Sequence, residues 1–177
     1  MNNQRGFSLI EILLVLGVLA LLLLAAFFTF PQVRDRNYVN IENQRLMQTV
    51  AVVKNLYVAK GNYVGLTTDI ANQAKAFVSE ANQGNYQAGQ EIRNLWGGLI
   101  QLQVHAANPK FMEISYGAVP PDACQKLATG VARNFKELQV AGTTVWRESD
   151  QEDVDITGIV QTCSANSAGS TMVFITE

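Results

Sequence analysis

The sequence has little of what side-chain catalysis usually requires. It holds one histidine and two cysteines in 177 residues, and the P-loop, GxGxxG and HExxH patterns are absent. Two cysteines and His105 fall short of the four ligands of a structural zinc site, and no CxxC pair is present. We therefore expect no catalytic residues, no metal and no cofactor, with His105 a loop or edge-strand side chain.

A surplus of basic residues is also missing. Lysine and arginine number 13 against 15 acidic residues, which gives a net charge of -2 and a sequence pI of about 5.4. A protein that binds nucleic acid by neutralising phosphates normally carries excess positive charge. We therefore predict no direct nucleic-acid binding. The length and the 48% hydrophobic content suit one folded domain rather than a disordered chain.

Much of the hydrophobic content lies in one run, from Phe7 to Phe30, whose only ionisable side chain is Glu11. At about 1.5 Å per residue, a helix of this length crosses a bilayer of about 30 Å. A cleaved secretory signal has a shorter apolar core and a small-residue cleavage site behind it. We therefore predict a retained membrane-spanning helix over residues 7–30. Arg5 is the one charged residue in the short segment before this helix. Because basic residues next to a membrane helix favour the cytoplasmic side, we expect the N-terminus in the cytoplasm.

A specific motif lies at the start of this run, since Gly6 to Glu11 read GFSLIE. A carboxylate inside an apolar helix costs about 2.5 to 3.5 kcal/mol on insertion scales. Such a group either extends to the lipid headgroups or meets a partner. The glycine, the aromatic residue, the spacing to the acid and the long apolar run together closely resemble the type III signal of type IV pilins and pseudopilins.

This resemblance implies a maturation step and an assembly step. A prepilin peptidase would cut between Gly6 and Phe7, and Phe7 would then be N-methylated. Glu11, fifth in the mature chain, would neutralise the N-terminal amine of a neighbouring subunit as the chains self-associate into a helical filament. The other partners implied are an inner-membrane assembly platform with its ATPase, and an outer-membrane secretin. The precursor would sit in the bacterial inner membrane and the assembled pilus outside the cell.

The remainder of the chain predicts further helices. Residues 32–57 contain no glycine or proline, and apolar side chains recur at helical spacing. These are Val39, Leu46, Val50, Val53 and Tyr57. We also predict a short helix capped by Asp69 and reaching Ala81, a loop over residues 82–90, and a helix from Pro121 to Phe135.

Two runs of alternating polarity, Leu99–Val104 and Phe111–Tyr116, predict strands, and the LWGG sequence at Leu95 forms a turn into the first of them. Further predicted strands are Leu138–Val140, Thr143–Trp146 and Met172–Ile175. The expected fold is α+β: a long N-terminal helix, membrane-spanning in its first half, packed on an antiparallel sheet with additional short helices, as in pilins. We divide the chain into a cleaved leader (1–6), a membrane or filament-core helix (7–30), its amphipathic continuation (31–57) and a head domain (58–177).

The two cysteines are Cys124, in the predicted helix, and Cys163, in a polar stretch before the last strand. An even count in an exported domain favours a disulfide, worth about 4 kcal/mol for a loop of about 40 residues. Unrelated thiols or a metal site are the alternatives. The stretch from Ile114 to Phe135 resembles type IVb pilins, including those of conjugative thin pili, while the short leader and Phe7 resemble type IVa pilins.

Near the C-terminus lies an acidic run, Glu148, Asp150, Glu152, Asp153 and Asp155. We expect a solvated loop there, with a calcium site as the alternative, because calcium prefers several hard oxygens. The spacing does not match an EF-hand loop.

The leading function is therefore that of a structural subunit of a type IV pilus used for adhesion, conjugation or motility. A minor pilin or a type II secretion pseudopilin is the first alternative, and a membrane-tethered periplasmic enzyme or binding domain is the second. The loop over 82–90 and the region from Cys124 to Cys163 are the expected filament surface.

Overall fold

The computed structural model describes residues 9–77, 89–150 and 153–177, without the side chains of residues 26–36 and Asp150. The chain forms two compact units, Met1–Asn37 and Tyr38–Glu177. The predicted cleavage site at Gly6 and Phe7, and most of the predicted loop over 82–90, lie outside the described residues.

A single long helix, α1, runs from Leu9 to Tyr57. In the first unit, its described side chains are all exposed. None of the helices, taken over the described residues, has both the length and the apolar character that spanning a bilayer requires. In the second unit one face of α1 is buried in the same core as the sheet, which confirms the predicted packing. That face comprises Val39, Glu42, Leu46, Thr49, Val53 and Tyr57.

The second unit is built on a six-stranded sheet of order β1-β2-β3-β6-β4-β5, in which every pair is antiparallel. The strands are β1 Ile92–Arg93, β2 Leu99–Val104, β3 Met112–Val119, β4 Glu137–Val140, β5 Thr143–Arg147 and β6 Ser170–Thr176. Burial alternates along β2, so that Ile100 and Leu102 face the core. The five predicted strands are confirmed, and the short β1 is an addition to them.

Three short α-helices lie among the described residues of the second unit: α2 Thr68–Gln73, α3 Pro121–Val131 and α4 Ile156–Ser164. Helix α3 begins at Pro121 as predicted, and its last predicted residues form a 3₁₀ turn over Ala132–Asn134.

The predicted helix from Asp69 to Ala81 begins too late and continues too far, since the structure has Thr68–Gln73; residues 78–81 of the prediction lie outside the described residues. Thr67 is the cap, because its hydroxyl accepts a hydrogen bond from the N–H of Ile70 at 3.3 Å. The helix ends at Gln73, and Lys75 then adopts a left-handed conformation with φ of 57°. A residue of that conformation cannot continue a right-handed helix.

The polar stretch predicted around Cys163 is in fact α4. Asp155 caps this helix by accepting a hydrogen bond from the N–H of Gly158 at 2.8 Å. Ile159 and Cys163 are buried one turn apart. Threonine, serine and glycine are weak helix formers, so packing rather than intrinsic propensity stabilises this segment as a helix.

Candidate assembly site

The first half of α1 has an uncovered apolar surface that carries one acid. Every large apolar side chain from Leu9 to Leu24 is 48–76% exposed. Glu11 is the only ionisable residue between Leu9 and Ala25, and it lies exposed in the first turn of the helix. A negative charge near a helix N-terminus is favoured by the helix dipole. A surface this apolar requires lipid or another protein surface to cover it.

A second feature of α1 is the fully buried carboxylate of Glu42. Its Oε1 accepts hydrogen bonds from the backbone N–H of Leu95 at 2.7 Å and from Nη1 of Arg45 at 3.2 Å. Its Oε2 is buried without a hydrogen-bond partner among the described residues. Burial raises the pKa of Glu42, although the bonds from Leu95 and Arg45 act in the opposite direction.

Glu42 is a structural residue that the sequence prediction lacks. The signal was present, because Glu42 and Thr49 occupy the two positions that complete the spacing of Val39, Leu46 and Val53 on one helix face. Thr49 is also buried, and its hydroxyl donates to the carbonyl oxygen of Ala76 at 3.0 Å. Polar side chains on this face therefore hold α1 to two separate loops of the second unit.

The side chain of Asn94 stabilises the turn over residues 95–98, which is the turn that donates a hydrogen bond to Glu42. Its Oδ1 accepts hydrogen bonds from the N–H groups of Trp96 and Gly98, at 3.0 and 2.9 Å. Its Nδ2 donates to the carbonyl oxygen of Gly117 at 2.7 Å. The LWGG turn is thereby confirmed, and it joins β1 to β2 while contacting both α1 and β3.

Cys124 of α3 and Cys163 of α4 form a disulfide, with Cα atoms 5.7 Å apart. Both cysteines are fully buried. The bond joins two helices that are 39 residues apart in the sequence. It confirms the pairing expected from the sequence.

The remaining predicted residues do not converge on one site. Nδ1 of His105 lies 3.3 Å from Oε2 of Glu113. In the acidic run, Glu148 pairs with Lys136, Asp153 pairs with Arg133, and Asp155 caps α4. Over the described ranges, no group of three or more His, Cys, Asp or Glu residues is placed to hold a metal ion.

Comparison with known families and structures gives two sequence matches. The family described as PilS N terminal matches residues 36–177, and the prokaryotic N-terminal methylation motif matches residues 1–27. A comparison with curated protein sequences found no match.

Two solved structures are similar in fold. TcpA, a type IV pilin from Vibrio cholerae El Tor biotype, aligns with a TM-score of 0.56 and 16% identity, over 80% of this chain and 99% of that one. A type IVb pilin from Salmonella typhi aligns with a TM-score of 0.51 and 22% identity, over 76% of this chain and 97% of that one. With a family match over most of its length, the chain belongs to the PilS N-terminal family, carries the prepilin methylation motif and has the type IV pilin fold.

Proposed function

We propose that this chain is the precursor of a type IV pilus subunit, of type IVb-like character, that polymerises through the first half of α1. The observation that carries the proposal is the exposed apolar surface from Leu9 to Leu24, interrupted by the single acid Glu11. A helix of this kind serves first as a membrane anchor and then as a packing surface for identical helices. The family match and the fold of the two pilin neighbours support the same conclusion.

Maturation would occur at the N-terminus. A prepilin peptidase hydrolyses the bond between Gly6 and Phe7 on the cytoplasmic side, and the new amine of Phe7 is methylated. Residues 7–30 then hold the subunit in the inner membrane until assembly, with the head domain over 58–177 outside the cytoplasm. The disulfide between Cys124 and Cys163 suits that oxidising compartment.

The role proposed for Glu11 follows from electrostatics. A carboxylate and an ammonium are each costly in an apolar medium, and their mutual attraction is strong when the local dielectric constant is low. If Glu11 of one subunit meets the Phe7 amine of its neighbour, the pair fixes the axial stagger between subunits. A charge pair of this kind contributes register more than net stability.

Assembly would need an inner-membrane platform and ATPase to drive extraction from the bilayer, and an outer-membrane secretin for exit. The filament would serve in adhesion, conjugation or motility, with exposed head-domain surfaces determining which of these applies.

The experiment is to delete the gene in the native host, restore it on a plasmid, and image cells with an antibody against the head domain. We expect antibody-labelled filaments in the complemented strain and none in the deletion strain. Labelling along the whole filament would identify a major subunit, and labelling confined to the tip or base would identify a minor one. A chain that stays in the membrane while filaments form without it would contradict the proposal.

A further inference from the structure

The turn over residues 95–98 and Glu42, to which it is bonded, contain two buried polar atoms without hydrogen-bond partners among the described residues. They are Oε2 of Glu42 and Nε1 of Trp96. A polar atom buried in this way has lost its hydration without compensation. Both atoms would regain hydrogen bonds to water if the turn opened into solvent, and this gain lowers the cost of opening.

Hydrogen bonds within the turn allow it to move as one unit. The N–H groups of Trp96 and Gly98 donate to Oδ1 of Asn94, at 3.0 and 2.9 Å. The turn is joined to α1 by the bond from the N–H of Leu95 to Oε1 of Glu42, at 2.7 Å. Breaking the bond to Glu42 leaves the internal bonds of the turn intact.

The sheet holds the turn through a small number of residues. Strand β1 is two residues long and pairs with β2 at Ile92 and Arg93. Nδ2 of Asn94 donates to the carbonyl oxygen of Gly117 at 2.7 Å. A segment with so short a ladder belongs to the low-stability part of a fold, where local opening is possible without global unfolding.

We propose that the 95–98 turn and β1 open away from α1 in a step that releases the proton of Glu42. In the closed form Glu42 is fully buried, which favours its neutral state. In the open form its carboxyl group meets water and ionises. Acid therefore closes the turn and base opens it. Opening would also uncover the edge of β2 at Ile100, and an uncovered strand edge can pair with another strand.

The electrostatic surroundings of Glu42 agree with this coupling. Burial raises its pKa, although the bonds from Leu95 and Arg45 act in the opposite direction. Nη1 of Arg45, on α1, lies 3.2 Å from Oε1 of Glu42 and stays charged. On β3, Tyr116 also interacts with Glu42, and burial raises the pKa of its phenol, so it stays neutral. Residues 94–98 contain no titratable side chain. Glu42 is therefore the group that changes charge.

Hydrogen–deuterium exchange of the full chain in detergent, followed by mass spectrometry of peptides covering residues 92–98, tests the coupling. Because amide exchange itself accelerates with pH, each rate is divided by the rate for Glu42→Gln at the same pH. That variant has no proton to release. We expect a ratio close to unity at about pH 4, because the ordinary pKa of the group is 4.5. Above that, the ratio should rise by about tenfold per pH unit and become constant once the pH passes the raised pKa of the closed form.

Two controls separate local opening from other effects. Glu113→Gln replaces a half-buried carboxylate of β3 that pairs with His105, and it should keep the wild-type pH dependence of residues 92–98. Peptides from β3, an inner strand of the sheet, should stay protected while residues 92–98 exchange. A ratio that stays constant from about pH 4 to about pH 8 would overturn the proposal. Equal protection of β3 and residues 92–98 would also overturn it, because Glu42 would then lose its proton only on global unfolding.

Discussion

The side chain of Glu42 accepts a hydrogen bond from the backbone N–H of Leu95 at 2.7 Å, and so joins α1 to a turn 53 residues later in the chain. An interior carboxylate is expensive to bury, and here one of its two oxygens lacks a hydrogen-bond partner among the described residues. Burying Glu42 therefore lowers stability, while its bond to Leu95 fixes the position of the turn on the helix. The free energy of unfolding should therefore depend on pH through the titration of Glu42.

Replacing Glu42 with glutamine should make the second unit, Tyr38–Glu177, more stable at neutral pH. Burial raises the pKa of Glu42 above its ordinary value of 4.5, so the folded chain holds this proton to a higher pH than the unfolded chain does. The stabilising contribution is complete below the ordinary value and is lost as the pH rises through the raised pKa. Glu42→Gln mimics the protonated form, so its advantage in unfolding midpoint should be present at pH 7 and disappear towards pH 4. Tyr116 adds nothing to this dependence, because burial raises its own pKa.

The contrasting substitution is Glu42→Ala, which removes the acceptor for the N–H of Leu95. We expect a loss of about 2 to 3 kcal/mol in the free energy of unfolding at low pH, from the unpaired donor and the cavity. The loss should be smaller at pH 7, where the wild-type chain itself carries the cost of the buried charge. Denaturant titration of the detergent-solubilised protein at pH 5 and pH 7 measures both variants. A Glu42→Gln variant less stable than wild type at pH 7 would show that the charged form is the favoured one.

Glu11→Val should abolish filaments without preventing membrane insertion. The substitution removes the only ionisable side chain from the exposed apolar surface, and with it the partner proposed for the Phe7 amine. Membrane fractionation and electron microscopy of the same cells separate the two effects. Glu11→Asp, which keeps the charge on a shorter side chain, is the control and should retain more filaments than Glu11→Val. Equal piliation in wild type and Glu11→Val would remove the register role.

Loss of the disulfide should destabilise the head by up to about 4 kcal/mol, the chain-entropy value for a loop of this length. Alanine is the suitable replacement for both Cys124 and Cys163, because both positions are fully buried and a serine hydroxyl would lack partners. Equilibrium unfolding of the double variant measures the effect. An unchanged free energy of unfolding would mean that helix packing alone holds α3 and α4 together.

Two glycines should respond in opposite directions to alanine. A Cβ at Gly98 would lie 1.7 Å from the carbonyl oxygen of Gly117, so Gly98→Ala forces the turn and β3 apart. We expect a loss of about 2 kcal/mol or more. At Gly130, in α3, the nearest atom outside the helix backbone would be 3.8 Å away, so Gly130→Ala should gain up to about 1 kcal/mol from helix propensity. Thermal unfolding of the two variants side by side makes each the control for the other.

The sequence predicts the elements whose signals are local and strongly periodic. Alternation along Leu99–Val104 identifies a strand, and Pro121 marks the start of α3. The start of α2 differs from the prediction because Thr67 and Asp69 are both good caps and only the tertiary context selects between them. Helix α4 was missed for a related reason, since its residues have low helix propensity and its amphipathic pattern is short.

The residues of the candidate site also differ in whether a local sequence signal predicts them. GFSLIE and the cysteine count are compact signals. The first predicts a role for Glu11, which stays a prediction, and the second indicates the Cys124–Cys163 disulfide that the structure contains. Glu42 carries no such signal, because acids are rarely buried and a carboxylate on a helix is normally expected to face solvent. Its bond to Leu95 depends on how the head folds back on the helix, and a pairing across 53 residues has no local signal.

The most direct test of the account is the intact mass of the subunit recovered from filaments of the native host. We predict a single chain that lacks residues 1–6, begins at Phe7, carries the added mass of one methyl group, and has lost two hydrogens to the disulfide. Recovery of the uncut 177-residue chain as the stable species in the native host would contradict the assignment as a pilus subunit.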